Sequence, residues 1–245
     1  MTHRLFFYLL LPFLFISCTP EEEPTENNTP STSANKIMPL GASRVEGARP
    51  AFESYRYELW KLMVDGGWDF DYVGTVDDPF SYPSYLGFNF DNDHEGRGGW
   101  TSGQILEGIE GWLNQTDTPD IVLFSSPGGN DALQGLSYDQ AVSNINEIID
   151  IIQVANPNVT ILIEQLAPAL STEMTAELTS YFNRMQEDVV TIAAEQSTST
   201  SAVLTVDMST GFGDSLLADA VHYNEAGARF IADRYYSVLT NVLEQ

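Results

Sequence analysis

Of the three histidines in this 245-residue chain, His3 lies in an apolar leader, so a histidine base in the body of the protein is His94 or His222. His222 closes the run Asp219-Ala220-Val221-His222, just ahead of a helical stretch that begins near Asn224. An Asp and a His three apart on a turn can face the same side. The carboxylate can then accept from one ring nitrogen and fix the tautomer, which frees the other nitrogen to take a proton. Taken alone, the pair also describes a helix-capping Asp beside an incidental His. Ser43, in Leu40-Gly41-Ala42-Ser43-Arg44, follows a short apolar run at a glycine break. It is placed to act as a nucleophile if that run is a strand, and otherwise as a turn or capping residue. The Gly-x-Ser-x-Gly elbow of another hydrolase class is absent. Gly128-Gly129-Asn130-Asp131 puts an amide after a sharp turn, where Asn130 could donate to a developing oxyanion. The same four residues also suit a plain turn. His94-Glu95-Gly96-Arg97-Gly98-Gly99-Trp100 is dense enough in glycine to present backbone N–H groups to an anion.

These residues need elements to hold them. Strand-like apolar runs occur at Lys36–Leu40, Phe70–Val76, Asp120–Phe124, Val159–Ile163 and Ala202–Val206. Helical spacing is read over Arg49–Val64, Thr101–Leu113, Ser137–Val154, Met174–Gln196 and Asn224–Leu243. Asp77–Gly99 reads as one long loop. The alternation, with strands apolar throughout, predicts an α/β fold: a three-layer α/β/α sandwich with a mostly parallel central sheet covered on both faces. Ligands of such sheets bind beyond the carboxyl ends of the strands. That places Gly41–Gly47, the loop ending at Gly99, Ser125–Asp131 and Met208–His222 along one edge.

Taken together, the four blocks resemble the SGNH (GDSL-like) hydrolase superfamily, which carries a Gly-Asp-Ser block, a glycine block, a Gly-x-Asn-Asp block and an Asp-x-x-His block in this order. The corresponding stretches are Gly41-Ala42-Ser43, Gly96 in HEGRGGW, Gly128–Asp131 and Asp219–His222. The resemblance implies a flavodoxin-like α/β sandwich and a serine esterase with Ser43 as nucleophile, His222 as base and Asp219 as its orienting carboxylate. It also implies oxyanion donors from the Ser43 and Gly96 amides and the Asn130 side chain, and no cofactor or metal. Three departures stand out. Ala42 replaces the usual Asp of the first block, the Gly98-Gly99 pair leaves open which glycine donates, and Tyr223 stands where a Pro often follows the His. Tyr55–Leu62 (YRYELWKL), Phe70–Gly74 (FDYVG) and HEGRGGW look more narrowly like the acetyl xylan esterases of carbohydrate esterase family three. That likeness implies a short acyl ester, acetyl above all, on a saccharide. His94 and Trp100 would then shape the substrate pocket, unless they are a hydrogen-bonded loop His and a core Trp. The rivals are a lipolytic or aryl esterase of the same fold, a catalytically inactive carbohydrate-binding lipoprotein that stacks sugars on the aromatic loop Phe80–Phe90, and a two-carboxylate glycosidase.

With 10 Lys and Arg against 35 Asp and Glu, the net charge is −25. Nucleic-acid affinity comes from neutralising phosphates, and docking on anionic lipid comes from basic residues, so neither partner suits this chain. The two histidines outside the leader, with no free cysteine once Cys18 is lipidated, leave few zinc ligands, while acidic loops leave calcium open. Residues 1–17 pair Arg4 with a short apolar run, the pattern of an export signal. The run ends at Cys18, the only cysteine, which resembles a bacterial lipobox and implies lipidation. Residues 18–35 are Pro, Glu, Thr, Ser and Asn rich and read as a disordered tether of roughly 50 Å when extended. The expectation is an exported, membrane-anchored protein whose hydrolase domain spans residues 36–245. The sequence sets no oligomeric state.

Overall fold

The computed structural model describes residues 30–245. The leader and Cys18 therefore lie outside the described residues. The compact unit begins at Ser31, ahead of the expected boundary at Lys36. Asn35 is one of the residues ahead of Lys36 that are tied to the domain. It is buried, its amide donates to the Asp69 and Glu244 carbonyls, and its oxygen accepts from the Glu244 amide.

The order of elements is β1 (Lys36–Gly41), α1 (Ser43–Glu46), α2 (Arg56–Gly66), β2 (Asp71–Tyr72), β3 (Val76–Asp77), β4 (Asp93–Gly96), α3 (Ser102–Leu113), β5 (Ile121–Phe124), α4 (Gly129–Leu133), α5 (Tyr138–Ala155), β6 (Thr160–Gln165), α6 (Ala176–Gln196), β7 (Val203–Asp207) and α7 (Glu225–Leu239). The sheet runs β3-β4-β1-β5-β6-β7, with β2 also paired to β1. Every pairing is parallel except β3 with β4. This is the mostly parallel, doubly covered sheet that the apolar runs predict.

Side chains alternate across a strand, so each central strand feeds two cores. Met38, Leu40, Val122, Phe124, Ile161 and Ile163 pack with α3, α5 and α6. Ile37, Ile121, Leu123 and Leu162 pack with α2 and α7 on the opposite face. The chain leaves β1 in one direction toward β4 and in the other toward β5, β6 and β7. A topological switch point therefore lies between β1 and β5, where ligands of open α/β sheets bind.

Three local expectations are revised. The helix expected from Arg49 starts at Arg56, because residues 48–52 form a tight turn in which Ala48 and Phe52 exchange backbone hydrogen bonds. The strand expected over Phe70–Val76 is two short strands, β2 and β3. The long loop Asp77–Gly99 contains β4, whose sequence Asp-His-Glu-Gly has no apolar signature. It nonetheless pairs with the carboxyl end of β1 through Leu40–Glu95 and Gly41–Gly96.

Candidate active site

Strand β1 ends at Gly41, where any Cβ would sit 2.8 Å from Val45 and 3.0 Å from the Ser125 carbonyl. Only glycine lets the chain turn so close to β5. Ser43 follows as the first residue of α1. The last carbonyls of α1 are held by Arg56, which is fully buried. Its Nε donates to Val45 O at 2.7 Å and its Nη2 to Glu46 O at 2.9 Å, while Nη2 also pairs with Asp78 at 2.9 Å.

The loop before α7 supplies the second part. Asp219 Oδ1 accepts from the amides of Val221 (2.9 Å) and His222 (2.8 Å), and Ala218 N–H donates to His222 O, which closes a tight loop. Within it, Asp219 Oδ2 lies 2.8 Å from His222 Nδ1, and His222 Nε2 lies 2.9 Å from Ser43 Oγ. Desolvation raises the Asp219 carboxyl, but the Val221 amide together with the His222 ring and amide outweighs it. The pKa is held below the ordinary carboxylate value. The Phe52 ring stacks on the imidazole at 3.8 Å and 12°. The structure thus brings Ser43, His222 and Asp219 into one hydrogen-bonded line across a span of some 180 residues of chain.

Asn130 stands in α4, directly after β5, and shares a cleft with Ser43. One of its amide hydrogens goes to Trp100 O at 2.7 Å, which leaves the other available. Its neighbour Asp131 is buried and accepts from the Ser102 amide (2.9 Å) and hydroxyl (2.7 Å), pinning α4 to the start of α3. The cleft has an apolar wall of Leu133, Leu166, Phe182 and Val221.

The glycine block is arranged differently from the expectation. The Gly96 amide is buried and donates to His94 Nδ1 at 2.9 Å, so it is already engaged. The amides of Gly98 and Gly99 are exposed and have no protein partner among the described residues. His94 is also not on the surface of a pocket. It is 1% exposed, and burial, reinforced by the charges of Arg56 and Arg97, lowers its pKa to about 2. It is a neutral histidine that braces a loop, the bland alternative to substrate contact. Trp100 packs against Trp112 with ring centroids 5.5 Å apart, and the Arg97 guanidinium lies over both rings. Its carbonyl touches Asn130, while its ring belongs to the core edge. In the aromatic loop, Tyr82 and Phe90 pack around Tyr57, and Leu86 and Phe88 are 68% and 59% exposed.

Two neighbours of the site carry no sequence signal. Arg44 is buried beside Ser43, and Glu164, on β6, is fully buried. Glu164 accepts from Ser125 Oγ (2.9 Å), the Ser126 amide (2.7 Å) and Tyr235 OH (2.8 Å). Burial raises its pKa, and those hydrogen bonds together with the Arg44 charge oppose the rise.

Comparison with known proteins is consistent with this geometry. A comparison with curated proteins gives no match. Among solved structures, a carbohydrate esterase family 3 protein from Talaromyces cellulolyticus superposes with a TM-score of 0.73 at 28% identity, covering 85% of this chain and 97% of that one. An acetyl esterase variant with acetate ion also gives 0.73, at 27% identity over 85% and 97%. A Clostridium thermocellum family 3 carbohydrate esterase gives 0.69, at 31% identity over 85% and 96%. The family model described as GDSL-like Lipase/Acylhydrolase matches residues 63–230. That span includes Asn130, Asp219 and His222 but starts after Ser43, which the family model does not reach. With its α/β sandwich and more than half of its length matched, the chain belongs to the GDSL-like lipase/acylhydrolase family.

Proposed function

We propose that this protein is a serine esterase that removes short acyl groups, acetyl above all, from carbohydrate, using Ser43, His222 and Asp219. The observation that carries the proposal is the line Asp219–His222–Ser43, with contacts of 2.8 and 2.9 Å. Asp219 holds Nδ1 protonated, so Nε2 faces Ser43 Oγ as an acceptor. Ser43 attacks the ester carbonyl while His222 takes its proton, and His222 then gives that proton to the departing alcohol. Water repeats the sequence on the acyl-enzyme. The tetrahedral oxyanion is met by the Ser43 amide, the free hydrogen of the Asn130 amide and the exposed amide of Gly98 or Gly99, because the Gly96 amide is committed to His94. A cleft walled by Leu133, Leu166, Phe182 and Val221 suits a small apolar acyl group. The saccharide as leaving group is supported by the three solved neighbours, which are named as carbohydrate and acetyl esterases. Export and lipid attachment at Cys18 belong to the same proposal. They are checked by radiolabelled palmitate incorporation in cells carrying the wild type and Cys18→Ser.

The test is hydrolysis of p-nitrophenyl acetate and of acetylated xylan by the wild type and by Ser43→Ala. Release of acetate from both substrates, falling to background in Ser43→Ala, is expected. Equal activity in the two proteins would refute the assigned nucleophile. A preference for octanoyl over acetyl esters would move the reading to a lipolytic enzyme of the same fold.

A further inference from the structure

We infer that Arg44 is a positioning residue that sets the distance between Ser43 and His222. Resting on the esterase reading above, the argument starts from where the guanidinium goes. Arg44 is 7% exposed, and among the described residues it makes no salt bridge. Its Nε donates to Val221 O at 2.8 Å, its Nη1 to Ala167 O at 2.8 Å and, more weakly, to Ser126 Oγ at 3.4 Å, and its Nη2 to Pro168 O at 3.1 Å. The guanidinium carbon lies 4.9 Å from the centre of the Tyr223 ring. Val221 and Tyr223 are the two chain neighbours of His222. The same side chain is therefore covalently next to Ser43 and grips the chain on both sides of His222.

A buried cation whose hydrogen bonds all go to neutral acceptors, with Glu164 acting on it only through space, is costly, and surface capping of loose carbonyls would not require one. What the guanidinium offers is a rigid plane with five donors. That plane spans three carbonyls in divergent directions, and charge-assisted hydrogen bonds to them are short and strong. The carbonyls belong to two loops, the one that follows β6 and the one that carries His222. Neither loop is covalently near β1, so without this contact the Ser43–His222 separation would rest on the Glu53 amide donating to Tyr223 O at 2.9 Å, on packing at Gly41 and on the Phe52 stack, none of which reaches the loop after β6. Displacement of a reacting pair by about 1 Å can lower the rate roughly 100-fold. The loss falls on kcat when the missing interaction serves the transition state rather than substrate binding.

The experiment measures kcat and KM for p-nitrophenyl acetate, together with the thermal midpoint, for the full-length wild type, Ser43→Ala, Arg44→Lys, Arg44→Met and Arg44→Met/Glu164→Gln. The double variant removes the carboxylate that Arg44 helps to compensate, so that a loss of folding in Arg44→Met does not decide the matter. Lysine keeps the charge but cannot span three carbonyls. Folded Arg44 variants with kcat lower by about 100-fold and KM within about threefold of the wild type are expected. A folded variant with kcat within about threefold of the wild type would overturn the inference, as would a change confined to KM. Failure of all three variants to fold would overturn it too, because Arg44 would then be a determinant of the fold. An inactive wild type, or an active Ser43→Ala, removes the esterase reading itself and this inference with it. Wild-type activity that Ser43→Ala abolishes leaves that reading standing whatever Arg44 does.

Discussion

Replacing Asp219 by asparagine is expected to cost more activity than replacing it by alanine, although asparagine is the closer mimic. The carboxylate has two tasks that separate cleanly by atom. Oδ1 accepts from the amides of Val221 and His222 and shapes the loop, whereas Oδ2 accepts from His222 Nδ1. Asparagine can retain the first task through its carbonyl oxygen, but it then turns an NH₂ group toward Nδ1. The ring is driven to the tautomer with its proton on Nε2, which donates to Ser43 and cannot activate it. Alanine loses all three hydrogen bonds yet leaves the ring free to choose its tautomer. Losing one hydrogen bond to a charged group removes about 1.5–3 kcal/mol, or roughly 10- to 150-fold in rate, which sets the expectation for Asp219→Ala. The Asp-to-Asn exchange at a buried triad carboxylate costs about 10⁴-fold. The Asp219 side chain is 50% exposed, so water competes for the ring and the expected loss is about 10³-fold. The assay is kcat/KM on p-nitrophenyl acetate near neutral pH, with far-ultraviolet circular dichroism to confirm folding. The reverse ranking, with Asp219→Asn the more active, would refute the reasoning and would make shaping the loop the main task of Asp219.

Two further outcomes follow from the same geometry. Asn130→Ala is expected to lose two to three decades in kcat, about 3–4 kcal/mol, while Ser43→Ala falls to background; equal losses would contradict separate roles as donor and nucleophile. His94 and the buried acids should pull stability in opposite directions below neutral pH. His94 has its pKa lowered from 6.5 to about 2, so the unfolded chain takes up its proton first and stability is lost as pH falls below 6.5. Asp91 is pushed by burial from 3.8 to about 7, and Glu164 is also raised, so these groups take up protons first in the folded chain and stabilise it as pH falls. Between pH 6.5 and about 4, urea unfolding of His94→Gln should therefore gain on the wild type by about 1.4 kcal/mol per pH unit. Parallel pH profiles would show that His94 is not held neutral.

The architecture was legible in the sequence because strands buried on both faces must be largely apolar, as β5 (IVLF) is throughout and as β1 and β6 are over Ile37–Leu40 and Ile161–Ile163. The residues that meet around Ser43 were legible through the resemblance of four ordered blocks, because residue type left each block open to a plain turn or cap. The carboxyl edge of a parallel sheet gathers the loops that carry them. What escaped the sequence lacks an apolar period or depends on backbone atoms. Strand β4 is Asp-His-Glu-Gly, and it is a strand because β3 pairs with Asp93 and His94 and β1 with Glu95 and Gly96. The choice among Gly96, Gly98 and Gly99 turns on which amide is already engaged, and His94 decides that by accepting from Gly96. Whether His94 meets substrate or braces a loop is equally open in the sequence, and burial at 1% exposure selects the brace. The targets of Arg44 are carbonyls of Val221, Ala167 and Pro168, and every residue has a carbonyl, so no residue type marks them in advance. Residue chemistry and order thus determined what this protein could do and along which edge. Only the tertiary structure decided which backbone groups were still free to help, because that depends on partners brought together from distant parts of the chain.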